Sequence, residues 1–407
     1  MLYHAFDWQR AMLAGAAQWA GWSAKAIEAF EHHPAYLGMG PTLSSALEVF
    51  AHAAEPRGKP AFGLDHTMIG DRRVAVREVD VVERPFGNLK HFVRDGAPEG
   101  QPRLLIVAPM SGHYATLLRG TVERMLPGHE VYITDWADAK LVPMSAGSFD
   151  LDDYIDYLVD FLEAIGPGAH MLAVCQPSVP SFAAVALMNA QGHPATPRTL
   201  TMMGGPIDTR QAPTAVNTLA TDRPHAWFAN NVIATVPSYY PGAGRRVYPG
   251  FLQLAGFLSM NLGSHLMSHY AMFRHLVEGD GESAEATKAF YDEYRSVCDM
   301  DAAFYLQTID AVFQRHLLPK GEFRHRGQLI DPAAITRTAL LAIEGERDDI
   351  SGIGQTRASL VIATGLDAAE KRYFLAPEVG HYGIFNGSKW RDRIAPVLED
   401  WIATHDD

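Results

Sequence analysis

The fold of this chain is decided by the stretch His170-Met171-Leu172-Ala173-Val174-Cys175-Gln176-Pro177-Ser178 and the small residues that follow it as far as Leu187. The apolar run before Cys175 predicts a buried strand. Pro177 marks a turn, and the alanine-rich segment after Ser178 predicts a helix. The sequence therefore predicts a strand, a sharp turn and a helix, with a cysteine at the apex of the turn.

A strand, turn and helix with a nucleophile at the tip is typical of the α/β-hydrolase fold, in which a strained backbone exposes that side chain above the sheet. The usual G-x-S-x-G pattern has glycine two residues before and two residues after the nucleophile. Here Ala173 and Pro177 occupy those positions, so the shape matches and the pattern does not. Cys175 is a candidate nucleophile, and the alternative is an inert thiol, since free cysteines are commonly buried.

The composition limits the classes of function. The chain has 407 residues, 47% of them hydrophobic, and a net charge of -13. No Lys and Arg cluster of the kind that binds phosphates is present, so we expect no nucleic-acid partner. Two cysteines form no disulfide framework, which fits a reducing compartment. The N-terminus lacks the pattern of a secretory signal, and we expect no transmembrane segment.

The first part of the chain predicts helices and then a hairpin. Residues 1–55 have aromatic and apolar side chains at helical spacing, with a break at His33-Pro34, which predicts two helices. We expect their tryptophans to form a packing face, and a granule- or membrane-binding surface is the alternative. Alternating residues in 74–79 and 89–94, with a turn between them, predict a β-hairpin.

Strands and helices then alternate, which predicts an α/β fold with a doubly wound, mostly parallel sheet. The predicted strands are Arg103–Pro109, Glu130–Trp136, His170–Val174 and Thr199–Pro206, with helices at Tyr114–Met125 and Leu151–Ile165. The alternation resumes in the stretch Thr338–Ile350, followed by a second strand at Lys371–Leu375 and a last helix at about Trp390–Ala403.

The segment between these two α/β parts is rich in aromatic residues and helix-forming runs, which indicates a helical cap. We therefore predict three regions: an N-terminal helical segment at 1–60 that packs on the core, a core made of 61–207 and 330–407, and a cap or lid at 208–329.

Two late strand ends supply partners for the cysteine. His381 follows the last predicted strand, and Asp348 with Asp349 follows the one before it, which gives the order nucleophile, acid, base. An imidazole beside a thiol stabilises the thiolate, and an acid on the second ring nitrogen fixes the tautomer. We favour Asp348 as the acid and keep Asp349 as the alternative.

An oxyanion hole in this fold uses the backbone N–H of the residue after the nucleophile, here Gln176, and a second N–H from an earlier loop. Met110 or Ser111 is the candidate for the second donor. Ser111, Ser178 and Ser181 are the other candidate nucleophiles if Cys175 is inert, although none of them lies at the apex of the turn.

The sequence resembles the intracellular poly(3-hydroxybutyrate) depolymerases of bacteria. The resemblance extends over nearly the whole chain and is carried by Met1–Ala5, Ala173–Pro180, Gly345–Gly352 and Gly380–Gly387. It implies hydrolysis of the polyester or its oligomers through a cysteine acyl-enzyme, with Cys175 as nucleophile, Asp348 as orienting acid and His381 as base. It also implies a cytoplasmic protein associated with polyhydroxybutyrate granules.

The leading hypothesis requires no metal and no organic cofactor, since thiol, imidazole and carboxylate suffice for acyl transfer. One alternative is an acyl transfer, either polymer synthesis as in polyhydroxyalkanoate synthases or thiolysis to a coenzyme A thioester. Another is a non-enzymatic granule coat. A polyester offers no charge, so we expect the cap to form an apolar groove in which Tyr239 and Tyr240 contact substrate.

Overall fold

The computed structural model describes residues 2–30, 36–260, 270, 272–274, 276, 287–288 and 291–406. The chain divides into two compact units. One unit comprises residues 1–60 and 250–297, and the other comprises residues 61–249 and 298–407. The predicted helix break at His33-Pro34 lies outside the described residues.

The strands of the described residues are β1 (His66–Ile69), β2 (Arg72–Val82), β3 (Gly87–Arg94), β4 (Arg103–Val107), β5 (Glu130–Trp136), β6 (His170–Val174), β7 (Thr199–Met203), β8 (Ala234–Thr235), β9 (Arg246–Tyr248), β10 (Met300–Asp301), β11 (Arg324–His325), β12 (Gln328–Leu329), β13 (Ala339–Gly345) and β14 (Lys371–Ala376).

The helices of the described residues are α1 (Leu2–Glu28), α2 (Tyr36–Ala54), α3 (Arg119–Met125), α4 (Leu151–Ile165), α5 (Ser178–Ala190), α6 (Ala215–Asp222), α7 (His225–Asn231), α8 (Gly250–Met260), α9 (Ala302–Thr308), α10 (Ala358–Ile362), α11 (Gly387–Lys389) and α12 (Ala395–Thr404). Short 3₁₀ turns cover Ala115–Leu118, Ala139–Leu141, Met144–Ala146, Pro332–Ala334, Ala368–Glu370 and His381–Ile384, and π-helical turns cover Ile309–Gln314 and Trp390–Ile394.

A nine-stranded sheet, as far as the described residues go, forms the centre of the larger unit. Its strand order is β1-β2-β3-β5-β4-β6-β7-β13-β14. Six strands of this sheet pair in parallel, in the order β5, β4, β6, β7, β13 and β14. The strands β1, β2 and β3 form an antiparallel edge. The predicted doubly wound, mostly parallel sheet is confirmed. Since all parallel strands point the same way, the loops after β4, β6, β13 and β14 meet at one edge of the sheet.

The central strands are buried along their whole length because helices cover both faces of the sheet. Every residue of β6, β7 and β13 is buried. The helix predicted at Leu151–Ile165 has these bounds in the structure, because Asp150 and Asp153 form a capping box at its start. The sequence analysis missed β1, which has only four residues.

The inserted segment between β7 and β13 contains helices and also small sheets. Within the described residues, β8, β9 and β10 form a three-stranded sheet, and β11 pairs with β12. The sequence pattern predicts helices here and does not predict these strands, each only two or three residues long. The boundaries of a cap at 208–329 stay a prediction.

In the other compact unit, α1 and α2 form two long helices as predicted. The prediction that the tryptophans of α1 are a packing face is wrong. Trp8, Trp19 and Trp22 are 67%, 65% and 74% exposed, whereas Ala17, Ala20 and Ala24 are buried. The helix buries its small residues because they allow a close approach to the neighbouring helix.

Candidate active site

Cys175 lies in the sharp turn between β6 and α5. Its φ of 67° is in the left-handed region, which side chains with a Cβ rarely adopt. Two backbone hydrogen bonds fix the turn: the Cys175 N–H donates to Met203 at 2.7 Å, and the Ser178 N–H donates to Cys175 at 3.0 Å. Such a backbone conformation costs about 1–3 kcal/mol of strain energy, and it persists only where the surrounding structure enforces it. Cys175 is partly exposed, as a side chain that reacts with a substrate must be.

Two glycines after β7 leave the space that the turn occupies. A Cβ added at Gly205 would lie 2.0 Å from the Ser178 Oγ, and one added at Gly204 would lie 3.1 Å from the His381 ring. Gly204 also has a φ of 59°. Both positions therefore require glycine. The sequence pattern places the pair at the end of a predicted strand and indicates no role for it.

His381 and Asp348 form a buried pair beside this turn. The His381 Nδ1 and the Asp348 Oδ2 are 2.7 Å apart, and the two side chains are 5% and 1% exposed. The second carboxylate oxygen of Asp348 accepts the N–H groups of Ile350 and Ser351 at 2.9 and 2.8 Å. Asp348 is therefore held in place from both oxygens. Asp349 is exposed to solvent, and the carboxylate that contacts His381 is that of Asp348.

The electrostatics of His381 reflect its partners. Burial by itself lowers the pKa of His381, but the Asp348 carboxylate and then the Cys175 sulfur outweigh burial, so the pKa is raised well above its usual value of 6.5. Both partners act through charge and through hydrogen bonding. The ring therefore interacts with both a carboxylate and a thiol, and both interactions favour the imidazolium form.

The loop that carries Asp348 depends on Glu344, a fully buried acid at the end of β13. The Glu344 carboxylate accepts the N–H groups of Gly354, Thr356 and Arg357 at 2.8, 2.8 and 2.9 Å, and the Tyr373 hydroxyl at 2.7 Å. A buried carboxylate with this many donors is well compensated for its lost hydration.

Thr356 ties this loop to the double glycine. Its Oγ1 accepts the Gly205 N–H at 2.7 Å and donates to the Gly205 carbonyl at 3.0 Å. The sequence analysis assigned no role to Glu344 or Thr356. A Glu inside an otherwise apolar strand was the signal that could have identified Glu344.

The candidate oxyanion donors lie around the same turn. The Met110 N–H donates to the Gln176 Oε1 at 3.3 Å, so the structure brings these two predicted residues together. The Gln176 Nε2 is buried and has no hydrogen-bond partner within the described residues. The loop after β4 is held by Cys298, whose N–H donates to Gly112 at 2.7 Å. Ser111 lies in this loop and is partly buried.

Two of the three serines proposed as alternative nucleophiles are inaccessible. Ser178 and Ser181 are 0% exposed, inside α5. The Ser178 side chain fills the space next to Gly205. Neither hydroxyl is reachable for a polymer, so both have a packing role in this structure.

Tyr239 and Tyr240 lie on a turn before β9. Their ring centroids are 4.9 Å apart, and Tyr239 is 54% exposed. The Gly242 N–H donates to the Lys140 carbonyl at 2.8 Å, and the Lys140 ammonium lies 5.8 Å from the Tyr240 ring centroid. Since Lys140 follows the carboxyl end of β5, the turn is attached at the same sheet edge as the loops that carry Cys175, Asp348 and His381.

The fold and this site together define a class. A doubly wound sheet, a cysteine in a left-handed turn after one strand, and an Asp and a His after two later strands are the arrangement of an α/β-hydrolase.

Residues 204–406, the C-terminal half of the chain, match the family model described as PHB de-polymerase C-terminus. The chain belongs to this family of poly(3-hydroxybutyrate) depolymerases. It is a carboxylic ester hydrolase, and the family implies a polyester substrate. No curated protein sequence matches the chain.

Solved structures resemble the chain at low identity. A thermophilic esterase from Thermogutta terrifontis is 12% identical, with 84% of this chain and 98% of that chain covered and a TM-score of 0.43. The 2-hydroxy-6-oxo-6-phenylhexa-2,4-dienoate hydrolase from Rhodococcus sp. strain RHA1 is 12% identical, with coverages of 81% and 100% and a TM-score of 0.41. A monoacylglycerol lipase of Paleococcus ferrophilus is 12% identical, with coverages of 75% and 96% and a TM-score of 0.43.

Two features are absent from the described residues. None of their helices has both the length and the apolar character needed to cross a membrane. They also contain no group of three or more His, Cys, Asp or Glu side chains that could hold a metal ion.

The raised pKa of His381 predicts a pH-dependent contribution to stability. A folded chain that binds this proton more tightly than the unfolded chain gains stability that is fully present below about pH 6.5, the ordinary pKa of histidine, and lost as the pH rises through the raised value. We therefore expect the difference in free energy of unfolding between wild type and His381→Gln to be largest at low pH and to shrink on alkalinisation.

Urea denaturation from about pH 5 to about pH 9 measures this difference, because carboxylates stay largely ionised above pH 5. Asp349→Asn is the matched control and should follow the wild-type profile. A wild-type advantage over His381→Gln that grows with pH would contradict the assigned direction.

Proposed function

We propose that this chain hydrolyses ester bonds of poly(3-hydroxybutyrate) or its oligomers with Cys175 as nucleophile, His381 as general base and acid, and Asp348 as the residue that orients His381. One observation carries the proposal: the His381 Nδ1 lies 2.7 Å from the Asp348 carboxylate, and the Cys175 side chain interacts with the same ring. The left-handed turn at Cys175 supports it, since strain of this kind gathers at reactive sites.

Acylation follows from the tautomer of the ring. The Asp348 carboxylate accepts from Nδ1, so Nδ1 bears a proton and Nε2 is the atom left for the sulfur. The Cys175 thiolate attacks the ester carbonyl carbon and a C–S bond forms. As the C–O bond then breaks, the leaving alkoxide takes the Nε2 proton, and a thioester and a free hydroxyl end result.

Deacylation uses the same groups, with His381 accepting a proton where it donated one in acylation. His381, now neutral, takes a proton from water while the water oxygen attacks the thioester carbonyl. The C–S bond breaks, the carboxylic acid product leaves, and the thiolate and imidazolium are restored. Asp348 stays ionised throughout and stabilises the imidazolium.

The oxyanion formed in each step needs donors that are already in position. We propose the Gln176 N–H, next to the nucleophile, and the Met110 N–H, with Ser111 as the alternative second donor. The contact of the Met110 N–H with the Gln176 side-chain carbonyl supports Met110, since it shows an N–H at this site directed toward a carbonyl-type oxygen.

The proposed place of action is a cytoplasmic polyester granule. The support is the substrate class of the family, because an insoluble polyester requires a protein that works at its surface. The family match gives no support to coenzyme A as an acyl acceptor, so we propose water.

Cys175→Ala is expected to lower ester hydrolysis by at least roughly a thousandfold, because removal of a nucleophile disables the residues that act with it. The fold should persist, since alanine keeps the Cβ at this φ. Cys175→Ser should also be slow, because a hydroxyl needs stronger base assistance than a thiol. Turnover of a soluble 3-hydroxybutyrate dimer measures both.

Intact-mass spectrometry during turnover identifies the acylated residue. We expect a hydroxybutyryl adduct on Cys175 and none on Cys298, which is buried. Near-wild-type turnover of Cys175→Ala, or an adduct elsewhere, would refute the assignment.

Asp348→Asn is expected to lower kcat by roughly a hundredfold or more with little change in KM, since the amide neither fixes the reactive tautomer nor stabilises the imidazolium. The alkaline limb of the kcat/KM profile should also move to lower pH, because the group that raises the pKa of His381 has lost its charge. The matched control is Asp349→Asn. If that control shows the larger loss, Asp349 is the acid.

We propose that Tyr239 and Tyr240 contact the polyester chain. Support comes from their paired rings, from the exposure of Tyr239, and from the attachment of their turn to Lys140 at the reactive edge of the sheet. Aromatic rings suit a ligand with methyl groups and weak acceptors, since they bury a large apolar area and have few rotatable bonds.

Tyr239→Ala and Tyr240→Ala are each expected to lower kcat/KM by roughly threefold to tenfold, chiefly through KM, because lost apolar contact weakens binding. Tyr239→Phe and Tyr240→Phe keep the rings and should behave as wild type. Steady-state kinetics with a soluble oligomer and with amorphous polymer test this. If both alanine variants have wild-type efficiency on both substrates, the two tyrosines do not contact the substrate.

A further inference from the structure

Helix α1 presents a row of large apolar side chains to solvent. Trp8, Met12, Trp19 and Trp22 are 67%, 60%, 65% and 74% exposed. Their spacing of four, seven and three residues places them on one face of a helix with 3.6 residues per turn. We call these four residues the tryptophan stripe.

The opposite face of α1 makes the helix contact. Ala17, Ala20 and Ala24 are buried there, and a Cβ added at Gly21 would lie 3.8 Å from the Ala51 side chain of α2. An ordinary surface helix buries its large apolar residues and exposes polar ones. In α1 this pattern is inverted, and exposed apolar rows of this kind mark interaction sites.

The charge around the stripe selects the chemistry of the partner. No charged residue occurs between Ala11 and Ala24, although the chain has a net charge of -13. Arg10 and Lys25 are the only Lys or Arg residues of α1, and the Arg10 guanidinium donates to the Arg57 carbonyl at 2.9 Å. Helices that bind anionic lipids have many Lys and Arg residues on the polar face. The stripe therefore fits an uncharged apolar surface.

We propose that the tryptophan stripe is the surface by which this chain docks on solid polyester. This inference rests on the proposed function, which places the chain at a granule. The polymer surface is uncharged and presents methyl groups with weak carbonyl acceptors, so it matches a row that has large apolar rings and no charge. Each indole also supplies an N–H that can donate to an ester carbonyl.

The test compares binding of full-length chains to amorphous poly(3-hydroxybutyrate) particles by co-sedimentation. The stripe variant has Trp8→Gln, Trp19→Gln and Trp22→Gln together, since glutamine is a good helix former. The matched control replaces three exposed apolar residues of the other compact unit, Leu219→Gln, Leu329→Gln and Val361→Gln. Circular dichroism and thermal melting establish that both variants fold.

We expect the stripe variant to lose at least about tenfold in apparent affinity for the particles, because aromatic residues dominate the energetics of apolar interfaces. The control variant should bind as wild type. Equal binding by the stripe variant and wild type would overturn the inference. Adding Cys175→Ala to each chain makes the binding result independent of turnover, so it also stands apart from the choice of nucleophile.

Two further measurements exclude other occupants. Tighter binding of wild type to neutral or anionic lipid vesicles than to polyester would assign the stripe to a lipid surface and overturn the inference. Sedimentation velocity that shows a wild-type dimer and a monomeric stripe variant would assign it to a second copy of the chain. Failure of wild type to bind polyester particles would instead refute the granule association itself.

Discussion

The contact between His381 and Asp348 is the interaction on which the site depends. The two ionisable side chains are only 5% and 1% exposed, so both have lost most of their hydration. Removing one partner of such a buried pair strongly destabilises the fold. The surrounding chain compensates this burial. Asp348 receives two backbone N–H groups on its second oxygen, and its loop is fixed by the carboxylate of Glu344. The ends of β13 and β14 thus form one rigid support for the imidazole.

The second constraint is the shape of the turn at Cys175. A left-handed cysteine leaves no room for side chains on the neighbouring strand end, and Gly204 and Gly205 satisfy this requirement. Gly205 also forms two hydrogen bonds with Thr356. Thr356 lies in the loop after β13 that carries Asp348, which we call the acid loop. The nucleophile turn, the double glycine and the acid loop are therefore mechanically linked, so a change in one of them alters the position of His381 relative to the sulfur.

The sequence was sufficient for a doubly wound, mostly parallel sheet and for the placement of Cys175, Asp348 and His381 after its strands, because apolar runs define buried parallel strands and reactive residues follow their carboxyl ends. It was insufficient where tertiary contact decides the role of a residue. Four donors compensate the burial of the Glu344 carboxylate. The spacing of residues in the sequence does not identify these donors. The tryptophans of α1 show the same limit, since helical spacing identifies a face without showing what lies against it.

The side chain of Gln176 connects these constraints to turnover. Its Oε1 accepts the Met110 N–H, the backbone group that the proposed mechanism assigns to the oxyanion. An amide oxygen is a weaker acceptor than an oxyanion, so the incoming charge gains more from that N–H than the glutamine does. Under the proposed mechanism the oxyanion therefore replaces the Gln176 Oε1 as the acceptor of this N–H, and the glutamine side chain moves away as the charge develops. In this way the residue after the nucleophile serves the proposed oxyanion hole through its backbone N–H and also through its side chain.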